Sequence, residues 1–171
     1  MAAAITVTTD DMRTEQEAIS AIERYSDTVL RLCMVHLKNP TDTEDVFQTV
    51  FLKYVLSSVV FESEEHEKAW FIRVTINACK DWLKSLFRRR TVSLDELLDQ
   101  PAAVAQDHRE VLEAVLQLPA KYRNVVYLHY YEGYTAPEIS DLLNMKVNTV
   151  YTLLTRARGE LKKTLGGDGD E

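Results

Sequence analysis

Cysteine is scarce in this 171-residue sequence, which contains only Cys33 and Cys79. The two residues lie far apart in segments with helical periodicity, so two buried apolar thiols are expected and a disulfide framework is not. Cys33 and His36 have the i,i+3 spacing that places side chains on one helix face, but two ligands without a second pair make a poor zinc site. The sequence therefore predicts no disulfide and no metal site.

Long hydrophobic runs are missing too, since no apolar stretch comes near the roughly 18 residues that cross a bilayer. The N-terminal segment, residues 1–17, has neither the basic start nor the apolar stretch of a secretory signal. We therefore expect a cytoplasmic protein with no membrane insertion of its own.

Glycine is limited to 5 residues, and the sequence contains no Gly-rich phosphate-binding loop. An ordered set of nucleophile, base and orienting group is also missing. The sequence therefore predicts a protein that is not an enzyme and that binds no cofactor.

Signals of β-structure are absent, because no strand-like alternation and no hairpin turn occurs anywhere in the sequence. The predicted fold class is therefore all-α. Helical periodicity predicts three helices in a first block, at about 15–38, 41–57 and 67–87, and four in a second, at about 109–116, 120–130, 137–143 and 147–165. We expect two small helical domains, 14–88 and 108–165, joined by a flexible linker over 89–107.

The same periodicity predicts which helix faces are buried in the first block. The first helix should end at Asn39-Pro40, and the sequence TDTE at 41–44 predicts a capping box for the second helix. The positions expected to form the core are Ile19, Ile22, Tyr25, Val29, Leu32 and Val35, then Val46, Phe47, Val50, Phe51, Tyr54 and Val55, then Trp70, Phe71, Val74, Cys79, Trp82, Leu83 and Leu86.

The net charge of -7 conceals two basic segments. Residues 80–90 and 146–163 each contain five basic residues and one acidic residue, so each carries +4 and the rest of the chain carries -15. Two basic segments on an acidic protein fit contact with phosphate groups at two places and with other proteins elsewhere. Taken singly, either segment is also explained as a solvated helix end.

The second block has the outline of a helix-turn-helix, in which two short helices are joined by a tight turn and the second is basic. Thr135 and Glu138 form a predicted capping box around Pro137, and Asn144 occupies the position where a left-handed residue ends a helix.

The last helix has a predicted buried stripe and a polar outer face. The stripe consists of Val147, Val150, Leu154, Ala157 and Leu161, and the outer face of Asn148, Thr149, Thr152, Thr155, Arg156 and Gly159. Hydroxyl, amide and guanidinium groups on one face suit the DNA major groove, although a solvated surface helix has the same pattern.

With both blocks in view, the sequence resembles the extracytoplasmic-function group of the sigma-70 family, RNA polymerase sigma factors composed of region 2, a linker and region 4. The segments DTEDVFQTVFLKY and AWFIRVTINACKDWLK are similar to region 2. Residues 118–163 follow the region 4 pattern, with its LP pair, YYEG turn and terminal RAR. The resemblance covers roughly residues 15–163 and implies a factor that directs core RNA polymerase to promoters.

The resemblance implies functional residues at the matching positions. Contact with core RNA polymerase is implied for Asp45, Gln48 and Phe51. Contact with the -10 element, including its melted non-template single strand, is implied for Phe61, Trp70, Asn77, Lys80, Asp81, Lys84 and Arg88. Contact with double-stranded -35 DNA is implied for Asn148, Thr149, Tyr151, Thr152, Thr155, Arg156, Arg158 and Lys162. Departures from the family pattern occur at Lys146, Tyr151 and Leu153.

An anti-sigma factor is a further partner implied by the resemblance. Other interpretations stay open. The chain could be a helix-turn-helix regulator that never contacts core polymerase, and Trp70 fits the hydrophobic core as well as a DNA contact. The acidic residues Asp42, Glu44 and Asp45 are expected to meet a basic surface of the polymerase, but Asp42 and Glu44 fit equally well as acids that stabilise a helix N-terminus. A purely structural helical adaptor would leave the two basic segments unexplained.

Overall fold

A computed structural model describes residues 12–89 and 109–166. The described residues form two compact units, one on each side of the boundary between Leu94 and Asp95. The described residues are organised into helices and contain no β-strand, which confirms the all-α fold class. Apart from Arg89, the predicted linker lies outside the described residues. None of the helices within the described ranges has both the length and the apolar content that crossing a membrane requires.

The first unit contains α1 (Glu15–Leu37), α2 (Pro40–Leu56) and α3 (Glu64–Arg89). Helix α1 begins at a capping box, in which the Thr14 hydroxyl accepts from the Glu17 amide and the Glu17 carboxylate accepts from the Thr14 amide. It ends where Lys38 takes left-handed backbone angles, with φ of 56°. Both ends of α1 therefore lie close to the positions that the sequence predicts.

The start of α2 differs from the prediction. The cap is Asn39, whose carboxamide oxygen accepts from the amides of Thr41 and Asp42, at 2.9 and 3.2 Å. Pro40 follows at the first helical position, where its fixed φ and missing N–H cost nothing. The predicted TDTE box at 41–44 is therefore wrong, because the helix has already begun. Helix α3 also starts early, at Glu64 rather than near residue 67.

Phe71 is the centre of the first core, and its side chain is fully buried. Its ring centroid lies 4.7 Å from that of Tyr25 on α1, and 5.2 and 5.0 Å from those of Phe51 and Tyr54 on α2. One residue of α3 thus contacts both other helices. Apolar residues buried around these rings include Val29, Cys33, Val46, Val50 and Cys79.

Two residues predicted for this core lie outside it. Ile19 and Ile22 are each 42% exposed. The buried stripe of α1 runs instead through Ala21, Tyr25 and Thr28. At 3.6 residues per turn, that stripe leaves Ile19 and Ile22 on the outer side of the helix.

The second unit contains α4 (Arg109–Gln117), α5 (Ala120–Val126), a π-helical segment (Tyr127–Tyr131), α6 (Ala136–Leu143) and α7 (Val147–Leu165). The sequence predicts one helix over 120–130, and the structure shows that its last turn widens into the π form. Leu128, Ile139, Val150 and Ala157 are fully buried, so the π-helical segment, α6 and α7 all contribute to the second core.

Candidate polymerase and nucleic-acid interfaces

Exposed polar and charged side chains form a stripe along α3, called the α3 face below. Its predicted members are Asn77, Lys80, Asp81 and Lys84, all exposed and spaced so that they share one side of the helix. Arg73 is exposed one turn before Asn77 and extends the face. It was missed from the sequence, although its spacing to Asn77 was a usable signal. The side chain of Arg88 lies outside the described residues.

The two aromatic residues expected at the -10 element are half-buried at the other end of α3. The Trp70 ring centroid lies 5.9 Å from that of Phe61, 5.9 Å from that of Tyr54 and 5.1 Å from that of Phe71. Phe61 is nearly parallel to Tyr54, at 6.4 Å and 10°. The structure brings Phe61 and Trp70 together, and Trp70 has the core contacts that the alternative interpretation of this residue requires.

A polar network beside these rings ties the three helices together. The Tyr54 hydroxyl donates to Oε1 of the buried Glu67 at 3.2 Å, and Nη2 of Arg24 lies 3.6 Å from the same oxygen. Burial and then the Glu67 charge raise the pKa of Tyr54, and the same two causes raise the pKa of Tyr25 to about 12. Both phenols therefore stay protonated at physiological pH, and Tyr54 remains a donor to Glu67.

The exposed side of α2, called the α2 face below, carries two of the three residues expected to contact polymerase. Asp45 and Gln48 are exposed, and Leu52, one turn further on, is 58% exposed. Leu52 was missed because an apolar residue on an amphipathic helix is expected inside. Phe51 is 7% exposed and packs at 4.7 Å against Phe47 and at 5.2 Å against Phe71. In the free chain Phe51 is therefore a core residue, and its expected contact with polymerase stays a prediction.

The helix-turn-helix is formed by α6, the turn at 144–146 and α7. The Thr135 hydroxyl accepts from the Glu138 amide, the Glu138 carboxylate accepts from the Thr135 amide at 2.7 Å, and the predicted capping box is confirmed. Asn144 has left-handed angles, with φ of 51°. The Ser140 hydroxyl donates to the Met145 carbonyl at 2.6 Å, while the Met145 amide donates to the Ser140 carbonyl at 3.0 Å. These bonds fix the turn.

The outer side of α7, called the α7 face below, is polar as predicted. All of its predicted members are exposed: Asn148, Thr149, Thr152, Thr155, Arg156 and Gly159. The hydroxyls of Thr152 and Thr155 donate to the carbonyls of Asn148 and Tyr151, each at 2.9 Å. A hydroxyl oxygen that donates its proton can still accept, so these hydroxyls and the exposed Arg156 guanidinium supply acceptors and donors.

The three positions that depart from the family pattern differ in their surroundings. Lys146 is the N-cap of α7 and makes no side-chain capping bond. Leu153 is 8% exposed and belongs to the core, so a basic residue there would be buried. Tyr151 is 54% exposed and lies beside the α7 face.

Three basic residues near the end of α7 have different surroundings. The Arg158 Nε donates to the Tyr130 hydroxyl, and its guanidinium carbon lies 5.6 Å from the Tyr130 ring centroid. At 100° per residue, Arg158 is about 120° from Thr152 around the helix, at the edge of the α7 face. Lys162 is exposed, and Lys163 pairs with Glu160 at 3.6 Å.

Comparison with known families gives a match in each unit. Residues 21–90 match Sigma-70 region 2, and residues 108–161 match Sigma-70, region 4. Together the two matches span well over half of the 171 residues, in the order that the sequence motifs have.

Two curated proteins that match the chain along most of their length are sigma factors. The extracytoplasmic-function RNA polymerase sigma factor SigW of Bacillus subtilis is 27% identical over 169 residues, which covers 88% of this chain and 90% of SigW. The RNA polymerase sigma factor SigV of the same organism is 26% identical over 142 residues, covering 81% of this chain and 85% of SigV.

Two solved structures share the fold. The sigma factor RpoE, solved with the anti-sigma factor NepR from Bartonella quintana, aligns with a TM-score of 0.74 at 18% identity, covering 90% of this chain and 99% of RpoE. CnrH, solved with the cytosolic domain of CnrY, aligns with a TM-score of 0.62 at 22% identity, covering 91% of this chain and 92% of CnrH.

Proposed function

Because the chain belongs to the extracytoplasmic-function group of the sigma-70 family, we propose that it divides promoter recognition between its two units. The first unit binds core RNA polymerase and holds the melted -10 strand, and the second binds the duplex -35 element. The observation that carries this division is that each unit matches one region of the family and exposes its own polar helix face.

The α2 face is the proposed docking surface for core RNA polymerase. Exposed Leu52 supplies an apolar contact, and Asp45 and Gln48 beside it supply charge and hydrogen-bonding groups. Acidic contacts of this kind make association sensitive to salt. Leu52→Ala and Asp45→Lys should each weaken core binding, while Lys53→Ala, further round the same exposed surface, should leave it unchanged.

The α3 face is the proposed contact with the melted -10 strand. Opening a duplex costs a few kcal/mol per unstacked base, and a protein offsets this by holding the exposed bases. The Asn77 carboxamide can hydrogen-bond a base edge, while Lys80 and Lys84 neutralise the neighbouring phosphates. Asn77→Ala should reduce open-complex formation and leave core binding unchanged. Glu65→Gln, on another side of α3, is the matched control.

The α7 face is the proposed reader of the -35 element. Arg156 and Thr152 are the proposed contacts with base edges and Lys162 the proposed contact with a phosphate, and the exposure of all three supports this. Arg156→Ala should relax the preference at one base pair by about 1–3 kcal/mol, the typical worth of a bidentate arginine contact. Lys162→Ala should weaken binding to every sequence alike. The slope of the logarithm of the binding constant against the logarithm of the salt concentration should become shallower by about one. Titration of single-base variants of one promoter separates the two effects.

Transcription reconstituted with core polymerase is the direct test of the proposal. The chain is mixed with core enzyme and a random-sequence promoter library, and the transcribed templates are sequenced. Enrichment of paired -35 and -10 sequences is the expected result. If the chain binds DNA fragments but never retains core enzyme, it is a helix-turn-helix regulator instead.

An anti-sigma factor is a proposed partner, and the cytoplasm is the proposed location. The supporting observation for the partner is that both structural neighbours were solved with another protein, named as an anti-sigma factor for RpoE. An inhibitor of this kind should compete with core enzyme for the α2 face, so Leu52→Ala should weaken both associations. Cell fractionation followed by immunoblotting tests whether the chain and core polymerase share a compartment.

A further inference from the structure

Arg13 joins the segment before α1 to the end of α2. Its amide donates to the Val55 carbonyl at 3.0 Å, and its Nε donates to the Tyr54 carbonyl, also at 3.0 Å. The last carbonyls of a helix have no partner inside the helix. Arg13 therefore supplies two of the donors that the C-terminal turn of α2 needs.

The third bond of Arg13 reaches beyond the helix. Its Nη2 donates to the carbonyl of Val59, 46 residues away in the sequence. Val59 lies in residues 57–63, called the α2–α3 loop below. The same guanidinium carbon lies 4.3 Å from the ring centroid of Tyr54 and 5.1 Å from that of Phe61, within the range of cation–π attraction. Arg13 thus holds both the backbone of the loop and its aromatic side chain.

The other side of the α2–α3 loop is held by the first turns of α3. The Glu62 amide donates to Nδ1 of His66 at 3.2 Å, and the His66 ring meets the Phe61 ring edge to face at 5.3 Å. Val60, between the two attachments, is 85% exposed. The loop is therefore fixed at both ends and presents an apolar tip with an aromatic ring beside it.

We propose that Arg13 is a positioning residue for -10 recognition, because it sets the shape in which the α2–α3 loop meets the melted strand. This inference rests on the proposed function, in which Phe61 contacts the -10 element. Ordering a flexible loop at the moment of binding costs affinity. Arg13 removes that cost by ordering the loop before DNA arrives.

Hydrogen exchange on the free, full-length protein tests the positioning without any DNA. Arg13→Ala should raise amide exchange over residues 57–63 about tenfold, since losing a charged donor of this kind shifts a local opening equilibrium by about that factor. Lys53→Ala is the matched control, because Lys53 is also a cation near the end of α2 but is exposed. Unchanged exchange over 57–63 in Arg13→Ala would overturn the inference.

Affinity for single-stranded DNA tests the consequence. The probe is an oligonucleotide carrying the -10 sequence that the holoenzyme selects from a random promoter library. Arg13→Ala should weaken holoenzyme binding to it about tenfold, and core binding should stay within about twofold. Arg13→Lys keeps the charge but lacks the fork of donors, so its oligonucleotide affinity should lie between those of the parent protein and Arg13→Ala. If core binding falls as far as oligonucleotide binding, Arg13 only stabilises the fold.

Phe61→Ala separates this inference from the proposed function. If Phe61→Ala leaves oligonucleotide affinity unchanged, the proposed -10 contact of Phe61 fails. If Phe61→Ala lowers the affinity and Arg13→Ala does not, only the positioning role fails. If Phe61 contacts the strand and Arg13 positions it, the two residues act on one contact. The double variant, Arg13→Ala with Phe61→Ala, should then bind the oligonucleotide no more weakly than Phe61→Ala alone.

Discussion

The Sγ atoms of Cys33 and Cys79 lie 4.0 Å apart in the core of the first unit, where α1 packs against α3. Both side chains are fully buried. The contact with Cys33 and then burial itself raise the pKa of the Cys79 thiol far above its ordinary range. The pair is thus an apolar contact between two helices, as the sequence predicts for cysteines in this setting.

Neither thiol should react while the protein is folded. The thiolate is the reactive form; burial keeps a reagent away from both sulfurs, and the raised pKa of Cys79 makes its thiolate scarce as well. Ellman's reagent at mildly alkaline pH should therefore release no colour from the native protein and two equivalents after denaturation. Rapid release of two equivalents without denaturant would contradict this packing.

Removing the cap of α6 should destabilise the second unit. Thr135→Ala deletes the hydroxyl that accepts from the Glu138 amide, and loss of such a cap costs about 1 kcal/mol. Thr135→Ser keeps the acceptor and is the conservative control. Denaturant unfolding of the two variants and the parent gives the comparison, and an Ala variant as stable as the parent would show that the cap contributes nothing.

The Glu138 carboxylate should make stability depend on pH. Bonds from the Thr135 amide, and then from its hydroxyl, lower the pKa of Glu138 below its ordinary value of 4.5. The folded state therefore binds fewer protons than the unfolded state in that range, so stability falls as the pH drops through the lowered pKa. In thermal melts at decreasing pH, the Glu138→Gln variant should show a smaller loss of stability than the parent, whereas the Glu160→Gln variant should show the same loss as the parent.

A cap added to α7 should stabilise the helix-turn-helix. Lys146 precedes α7 with extended backbone angles and no side-chain capping bond. Lys146→Ser places an acceptor where the free amides of the first turn need one, and should raise the free energy of unfolding by about 1 kcal/mol. Lys146→Ala, which removes the charge without adding a cap, is the control. Equal stability of the two variants would contradict the explanation.

The parts of this fold that follow from the sequence are those encoded by neighbouring residues. The buried stripe of α7 contains Val150, Leu154 and Ala157 at helical spacing, and all three are buried as predicted. The turn at Asn144 was predictable because few residue types accept left-handed angles. Periodicity and turn chemistry are local, so a single chain reveals them.

Phe51 shows where two kinds of sequence reasoning disagree. Helical periodicity places it with Val50 and Tyr54 on the buried side of α2, whereas resemblance to the family implies a contact with polymerase. The structure supports the periodicity, because Phe51 packs on Phe71. Leu52, its exposed neighbour, could be identified only after the rotation of α2 about its axis was known.

Contacts between distant residues could not be predicted. Arg13 and Val59 are 46 residues apart, and Arg158 and Tyr130 are 28 apart. No local spacing marks such pairs, because they meet only after the helices pack. The resemblance names Arg158 as a DNA contact without indicating that a tyrosine hydroxyl already binds it.

Arg123 should be a source of instability in the second unit. It is 8% exposed, and its Nε and Nη1 atoms have no hydrogen-bond partner among the described residues. Burial lowers the pKa of its guanidinium, which shows that the surroundings disfavour the charge. Replacing a buried, poorly paired charge by an apolar side chain of similar volume is neutral or stabilising in many proteins. Arg123→Met should therefore raise the free energy of unfolding by about 1 kcal/mol or more.

Two controls make the Arg123 prediction decisive. Arg123→Lys keeps a buried charge and should give no gain, while Arg156→Met on the exposed α7 face should leave stability within about 0.5 kcal/mol of the parent. Urea unfolding at neutral pH measures all three variants. A loss of stability in Arg123→Met would contradict the prediction and show that the guanidinium stabilises the folded state. If the variant is more stable yet fails in reconstituted transcription, Arg123 is retained for function at a cost in stability.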